Sequence, residues 1–591
     1  MSYWQADDSV RVGEKKISIP SENGLSYSPG QKVQIFVDPS TKFMDGRETY
    51  LQFNVKLSLP AGKKPTRLQL DQCTSTLIKN IRIYDGSRGQ LLEEISDYAT
   101  YVSVKYDYDK NKILENSRAL REGCAVHTPD QRATEGTTQT PMANTLTNPY
   151  FKKTSGNQTA AFTDADFLNA KLTLPLHTGI FADSATIFPV MMTNGLYIEI
   201  DLNDADNVIK QLDSVLRDRR TPFAPYFHSL NGSDTPDTWA AGTAADTLYI
   251  ADANNLSGAD RVARFPFVVG ESFKFCRADN NGSASAFYNN ASLTISEINL
   301  STAANGSGGL IEVKFQNASV AAGALTITED FVMYSTAVAE VDSYDASYEV
   351  SNVNLIVSQV MLDPGYEAGM LQKVREGKSI EFDIMSTTNY KHSILSTDRQ
   401  ATFQIFAQNS RAKALMVVPT DSSVYTSAQK ISASGTYVIK GTNYSSDTAA
   451  TKARHDICLA SNRSTLTGIV DELSSIQYTI NGKRVPSREI STKKIATKNS
   501  LDAFHLYELE KTLDNSGIPP RSFSAFMDNF VFGRGFSAGG QNGVVDLRGK
   551  DLAVIVKYQT STAPSKGKLF QSYVAHVRRL VLGDGSVQVV V

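Results

Sequence analysis

Apolar and polar residues alternate along most of this chain with a period of two. In "YLQFNVKLSL", Leu51, Phe53, Val55, Leu57 and Leu59 are separated by polar residues, which places one apolar row on one face of a strand. "LIKNIRIYDGSRGQLLEEI" reads as a strand, a turn at Gly86 and Gly89, and a returning strand. "LYIEIDL" alternates through Leu196, Ile198, Ile200 and Leu202, and "YEVSNVNLIVSQVML" carries Val350, Val353, Leu355, Val357 and Val360. "SIEFDIM", "ATFQIFAQN", "AKALMVVP", "DLAVIVKYQ" and "VRRLVLGDGSVQVVV" are further strands, and "SSIQYTINGKRVP" contains an Asn481-Gly482 hairpin turn. Helical signals are fewer. "SLDAFHLYELEKTLDNSG" is the clearest: Ser500 caps it, Ala503, Leu506, Leu509 and Leu513 share a face, and Gly517 with Pro519 ends it. "GYEAGMLQKVREG" is a second, closed by Gly377. "LNDADNVIKQLDSVLRD" reads as one helix, and "YATYVSVKYDYDKN" is ambiguous.

From Arg220 to about Thr336 the composition shifts to Asn, Ala, Gly, Ser and Thr. Such bias can mark disorder. The strand candidates "RFPFVVGESFKF", "SLTISEINL", "GLIEVKF" and "ALTITEDFVMY" instead predict a small β module with polar loops. The expected organisation is an N-terminal arm over 1–27 and a first β block over 28–210. A β-rich polar insertion over 211–339 and a second block with C-terminal strands over 340–591 complete it. The fold class is all-β with a few short helices. Many strands at short spacing between Gly and Pro turns indicate sandwiches or jelly rolls. No literal repeat joins the two blocks.

Composition narrows the function. The 591 residues are 41% hydrophobic and 20% charged, enough for large cores, and the net charge of −3 gives no basic excess for nucleic acid. Cys73, Cys124, Cys276 and Cys458 lack CxxC spacing and read as reduced thiols. The N-terminal residues hold no apolar run of signal-peptide type, and no stretch is apolar for long enough to predict a membrane span.

Candidate chemistry concentrates between Leu174 and Asp204, where His177, Asp183, Ser184, Glu199, Asp201 and Asp204 fall close together. A catalytic serine would need an elbow such as GxSxG, which is missing. "GKS" at Gly377–Ser379 lacks the first P-loop glycine, since position 372 is Gln, and it follows a helix where a strand is required. "GRGFSAGG" at Gly533–Gly540 is a sheet-edge loop. "DLNDAD" from Asp201 fails as a calcium loop, with Ala205, Asp206 and Leu212 at ligand or turn-glycine positions. His127, His177, His228, His392, His455, His505 and His576 are dispersed without HxH or HExxH spacing, so packed or surface histidines are expected. Sequons at Asn157, Asn231, Asn255, Asn281, Asn290, Asn299, Asn305, Asn317, Asn443 and Asn462 read as ordinary loop residues. The expected site residues are therefore none, whether catalytic, cofactor-binding or metal-binding, and the polar stretch reads as part of a wall. A carbohydrate-binding β-sandwich, drawing on the 25 Tyr and 27 Phe, is the alternative.

Several segments resemble double jelly-roll major capsid proteins, above all those of polinton-like viruses and virophages. They are "LPLHTGIF", "IFPVMM" and "GLYIEIDL", then "STLIKNIRIYDGSRGQLLEEISDY", "YEVSNVNLIVSQVMLDPGYEAGM" and "SIQYTINGKRVPSREI". The resemblance implies two tandem eight-stranded jelly rolls and a structural, non-enzymatic subunit. It also implies homotrimers with a near-hexagonal outline, packed in an icosahedral shell around double-stranded DNA. The implied partners are neighbouring capsomers, penton proteins and minor or cement proteins, with no specific nucleic-acid binding and no cofactor. The implied location is the virion, after synthesis in the host cytoplasm or nucleus, with the insertion forming an outer tower.

Overall fold

The computed structural model describes residues 11–58, 67–70, 74–109, 118, 121–122, 169–184 and 187–212, short strands between 221 and 337, then 347–395 and 397–421, and short strands between 430 and 444. It continues over 473–492, 503–520, 530–536, 544–558, 568–583 and 587–590.

Sixteen of the described strands fall into two sets of eight with one wiring. The first set is β1 (Arg11–Pro20), β2 (Lys32–Val37), β3 (Met44–Ser58), β4 (Ile78–Asp85), β5 (Leu91–Ser96), β6 (Asn169–Pro175), β7 (Leu196–Leu202) and β8 (Ser347–Leu362). It forms one sheet in the order β1-β8-β3-β6 and a facing sheet in the order β2-β7-β4-β5. The second set is β9 (Ile380–Ile394), β10 (Gln400–Ile405), β11 (Ala412–Asp421), β12 (Leu473–Ile480), β13 (Lys483–Arg484), β14 (Phe532–Gly535), β15 (Leu552–Tyr558) and β16 (Lys568–Leu582). Its sheets run β9-β16-β11-β14 and β10-β15-β12-β13. Adding eight to each strand number converts the first pattern into the second. This is the Greek-key wiring of a jelly roll, and the chain is a double jelly roll. Both rolls also carry a helix between their fifth and sixth strands, α1 (Tyr98–Tyr108) in the first and α3 (Ala503–Asn515) in the second. A third helix, α2 (Pro364–Arg375), joins the rolls.

The alternation predicted from sequence becomes the core. In β3, Leu51, Phe53, Val55 and Leu57 are buried, and the residues between them are half-buried. The Asn481-Gly482 turn has both residues at positive φ, 51° and 72°, as a two-residue hairpin requires. Asp363 caps α2 by accepting from the Gly365 and Tyr366 amides, and Gly377 (φ 77°) ends it, so "GKS" is a helix terminus. On α3, Leu509 and Leu513 are buried as expected, while Leu506 is only half-buried; His505, Glu508, Thr512 and Ser516 complete the inner face. Gly533 and Gly535 lie where a Cβ would strike Thr512 and Asn515, which lets α3 press against β14.

Three expectations need correction. Residues 11–27 are not a free arm: β1 pairs with β8 along most of its length, and Ser26–Tyr27 pairs with β8 as well. The second block does not begin at 340. β8 lies between β1 and β3, because its apolar row from Val350 to Val360 completes the first roll's core. The segment after Asp204 is not one helix. A single turn at Ala205–Val208 gives way to a strand, Ile209–Leu212, paired with Arg67–Leu70.

The insertion thus leaves the first roll between its seventh and eighth strands. Seven of its described strands form one sheet, and two more, Thr238–Trp239 and Leu325–Thr326, pair separately. Because strands alternate in direction, the 1–2, 3–4, 5–6 and 7–8 connections of a roll emerge at one end. The Ile209–Leu212 to Arg67–Leu70 pairing joins two of them. A three-stranded sheet (Lys430–Ile431, Tyr437–Ile439, Thr442–Tyr444) occupies the 3–4 connection of the second roll.

Candidate functional site

The polar stretch of 174–204 divides between two environments. Glu199 and Asp201 lie on β7 and point to the outer surface of the β2-β7-β4-β5 sheet. Lys32 Nζ reaches Glu199 at 3.0 Å, and Arg82 binds Asp201 at 2.9 Å and Glu94 at 2.9 Å. Asp204 meets Lys79 at 3.4 Å. Charges of opposite sign therefore face each other across the strands, the pairing a solvated sheet face favours.

His177 and Ser184 are buried instead, and Asp183 half-buried, in the loop between β6 and β7, beneath α1. Every residue of α1 is buried, including Lys105 and Asp107. From this helix Tyr106 Oη donates to Glu122 Oε2 at 2.5 Å and lies 3.0 Å from His177 Nε2. His177 Nδ1 is 3.2 Å from Asp183 Oδ1, which also accepts from Lys105 Nζ at 2.5 Å. Arg121 Nη2 holds Glu122 at 2.6 Å, Arg118 lies over the Tyr106 ring, and the His177 amide donates to Tyr98 Oη. The result is a linear acid–base relay, Asp183–His177–Tyr106–Glu122.

Burial, reinforced by the Lys105 charge, pushes the His177 imidazole below its ordinary range. For Asp183, burial is outweighed by Lys105 and His177, and the carboxyl is held well below the usual carboxylate range. The relay can hold a proton, but it presents no reacting surface. Glu122 and Tyr106 are buried, and both imidazole nitrogens are already engaged. Ser184 is buried, with its carbonyl accepting from Arg47. The imidazole therefore does not activate it.

The relay is a structural strut, and removing its centre should show this. Tyr106→Phe leaves buried Glu122 and His177 atoms short of a partner, at a cost of about 1–3 kcal/mol. Because His177 is depressed, the unfolded chain binds its proton first, so this region loses stability as pH falls below about 6.5. Urea melts of wild type and Tyr106→Phe at pH 5.5 and 7.5 test both points. A variant as stable as wild type would contradict the strut.

The other concentration of buried polar groups lies on the seam between rolls. Glu93 on β5 is fully buried and accepts from the Gly179 and Ile180 amides at 2.8 and 3.2 Å. Ser386 and Arg578 of the second roll face the same carboxyl. Burial pushes Glu93 up to about 7, against the opposing pull of the two amides and Arg578. Burial also lowers Arg578, whose Nη1 donates to the Leu92 carbonyl at 2.6 Å. Nearby, Asp97 pairs with Lys391, accepts from Asn389 at 3.0 Å, and offers its carbonyl to Tyr573 Oη at 3.0 Å. Around these polar points the apolar core runs from one roll into the other, with Phe188 edge-on to Phe382 and Tyr101 against Tyr573.

Sequence reasoning singled out His177 and Asp183 but missed Tyr106, Glu122, Lys105, Glu93 and Arg578. The only local hint was the tyrosine-rich "YATYVSVKYDY". The remaining described histidines with placed side chains are packed: His392 stacks on Phe403, His505 on Phe530, and His576 is buried in β16. His127 and His455 lie outside the described residues. Among the described residues no group of three or more His, Cys, Asp or Glu could hold a metal ion, and no helix is long and apolar enough to cross a membrane.

No family model matches the sequence, and no curated protein does. Solved structures are similar in fold at low identity. A cryo-EM structure of the Sputnik virophage is 9% identical, with a TM-score of 0.45, covering 98% of this chain and 89% of that one. The Faustovirus major capsid protein is 9% identical, with a TM-score of 0.44 and coverage of 99% and 92%. A PBCV-1 virus capsid chain is 9% identical, with a TM-score of 0.43 and coverage of 98% and 97%.

Proposed function

We propose that this chain is the major structural subunit of an icosahedral double-stranded DNA virus capsid, assembling as trimers with a near-hexagonal outline. The single observation that carries the reading is the duplication: two rolls with the same strand order, set side by side with the first roll's apolar cluster continuing onto the second roll, whose interior is a core of its own. Such a chain presents two similar pillars, so three chains around an axis present six. A shell can then be tiled by six-sided blocks built from only three subunits. The connections that carry the insertions rise at one end of each roll, where they would form an outer tower without disturbing the wall.

The polar stretch fits this role. Its outward carboxylates are neutralised across the sheet, and its buried groups brace the 6–7 loop. Nothing in that arrangement calls for a substrate or cofactor. A lectin-like reading would need exposed aromatics lining a groove. Among the described residues whose side chains are placed, the exposed aromatics are Phe406 and Tyr507, one following β10 and the other on α3. Neighbouring capsomers, penton proteins and minor proteins are the partners expected, with residence in the virion after synthesis in the host cell.

Native mass measurement of the purified chain tests the reading. The expected result is a trimer with apolar contacts burying more than ~2,000 Å² in total. A chain that remains single at high concentration would overturn it.

A further inference from the structure

The 2–3, 4–5 and 6–7 connections of each roll lie together at the end opposite the insertions, and the two rolls finish this end differently. In the first roll it is charge-balanced. Asp38 and Lys42 stand in the first connection, Asp85 and Arg88 at the second, and no charge falls between Pro189 and Gly195, the stretch leading into β7. Lys42 is paired with Glu367, Arg88 covers the Tyr197 ring, and none of these residues exposes a large apolar side chain.

The second roll is different at the same places. Phe406 follows β10 directly and is 67% exposed, and Val544, on the way into β15, is 40% exposed. Arg411, Lys483, Arg484, Arg548 and Lys550 share these connections with two carboxylates, Asp546 and Asp551. Arg411 is tied to Asp383 at 2.8 Å and Arg548 to Asp546 at 2.9 Å, so Lys483, Arg484 and Lys550 stand against Asp551. The three connections form one surface. The Gly549 amide donates to Gln408 Oε1 at 3.3 Å, the Leu547 amide to the Asn409 carbonyl at 2.9 Å, and the Asp551 amide to Asn481 Oδ1 at 3.0 Å. The Phe406 connection and the cationic β12–β13 hairpin therefore flank one strip, residues 547–551.

We propose that this end of the second roll docks on an anionic lipid bilayer, with Phe406 entering the boundary between head groups and acyl chains and Lys483, Arg484 and Lys550 at the phosphates. The excess of cations selects a negatively charged partner, and the exposed ring selects among such partners. A nucleic-acid duplex would engage the cations through its phosphates but leave Phe406 in water. A lipid interface takes both, because the ring gains by leaving water while Lys and Arg keep their charged ends among the head groups. The surface belongs to the single chain, so the inference does not depend on trimer assembly.

Flotation of the purified full chain with vesicles tests this. Phosphatidylcholine vesicles containing about one-third phosphatidylserine should carry the protein, less so as salt rises, and vesicles of phosphatidylcholine alone should not. Lys483→Gln combined with Arg484→Gln should weaken binding on the order of tenfold or more. Phe406→Ser should weaken it on the order of tenfold as well. Tyr507→Ser, which removes the exposed aromatic of α3, should leave it unchanged. Wild-type trimers that float with neither vesicle would overturn this inference alone and leave the capsid reading standing. Binding indifferent to Phe406→Ser would overturn it too. Retention of duplex DNA that falls in the double variant but not in Phe406→Ser, without flotation, would assign the surface to nucleic acid instead.

Discussion

Glu93→Ala should destabilise the protein by about 3–5 kcal/mol, and the loss should begin at the junction of the rolls. The substitution removes the acceptor for the Gly179 and Ile180 amides and the counter-charge facing Arg578, all in a buried seam. Hydrogen exchange should show β5, the 6–7 loop and β9 opening before the sheets that face away from the seam. Glu93 also makes the junction sensitive to pH. Its folded pKa of about 7 lies above the ordinary 4.5, so between these values the folded chain keeps a proton that the unfolded chain has released. Stability is therefore fully present below about pH 4.5 and falls as pH rises to about 7, by roughly 3 kcal/mol in all. Other groups titrate in the same range, so the informative quantity is the difference between wild type and Glu93→Gln. That difference should follow this slope. Parallel pH profiles for the two proteins would show that Glu93 is not the titrating group.

Gly179→Ala is expected to cost about 3 kcal/mol although it adds a single methyl. A Cβ there would lie 2.3 Å from the Met385 carbonyl oxygen and 3.1 Å from the Ile384 Cβ. The obstacle is backbone of the second roll and cannot swing aside, so the rolls must separate slightly. Gly369 provides the contrast. It lies within α2 with nothing near its missing Cβ, and Gly369→Ala should stabilise by up to about 1 kcal/mol through helix propensity alone. Thermal melts of the two variants should move in opposite directions. A Gly179→Ala protein as stable as wild type would mean that the rolls are not held this closely.

The legible part of this protein is local. Leu51 through Leu57 announce a half-buried strand because side chains alternate across a pleat whatever the partner is. Asn481-Gly482 announces its hairpin because few other residues accept positive φ at both positions. Gly377 ends α2 and Gly517 follows α3 for the same reason. The resemblance in motifs gave the architecture, two rolls in one chain. The carboxylates of β7 could be read as surface residues because they alternate with a buried row.

What the sequence could not supply is which elements meet. β8 carries a strand pattern that fits either roll, and reading onward from 340 assigned it to the wrong one. Its place between β1 and β3 depends on a pairing across the whole of 203–346, and alternation says only that one face must be covered, not by what. The relay and the seam were hidden for the same reason. Tyr106, Glu122 and His177 are far apart along the chain, as are Glu93 and Arg578, and neither set has a spacing rule that would join them. Periodicity is set by the backbone within a single element and survives in one dimension. Partnership is set by closing loops of arbitrary length onto a shared core, and only the folded chain decides it.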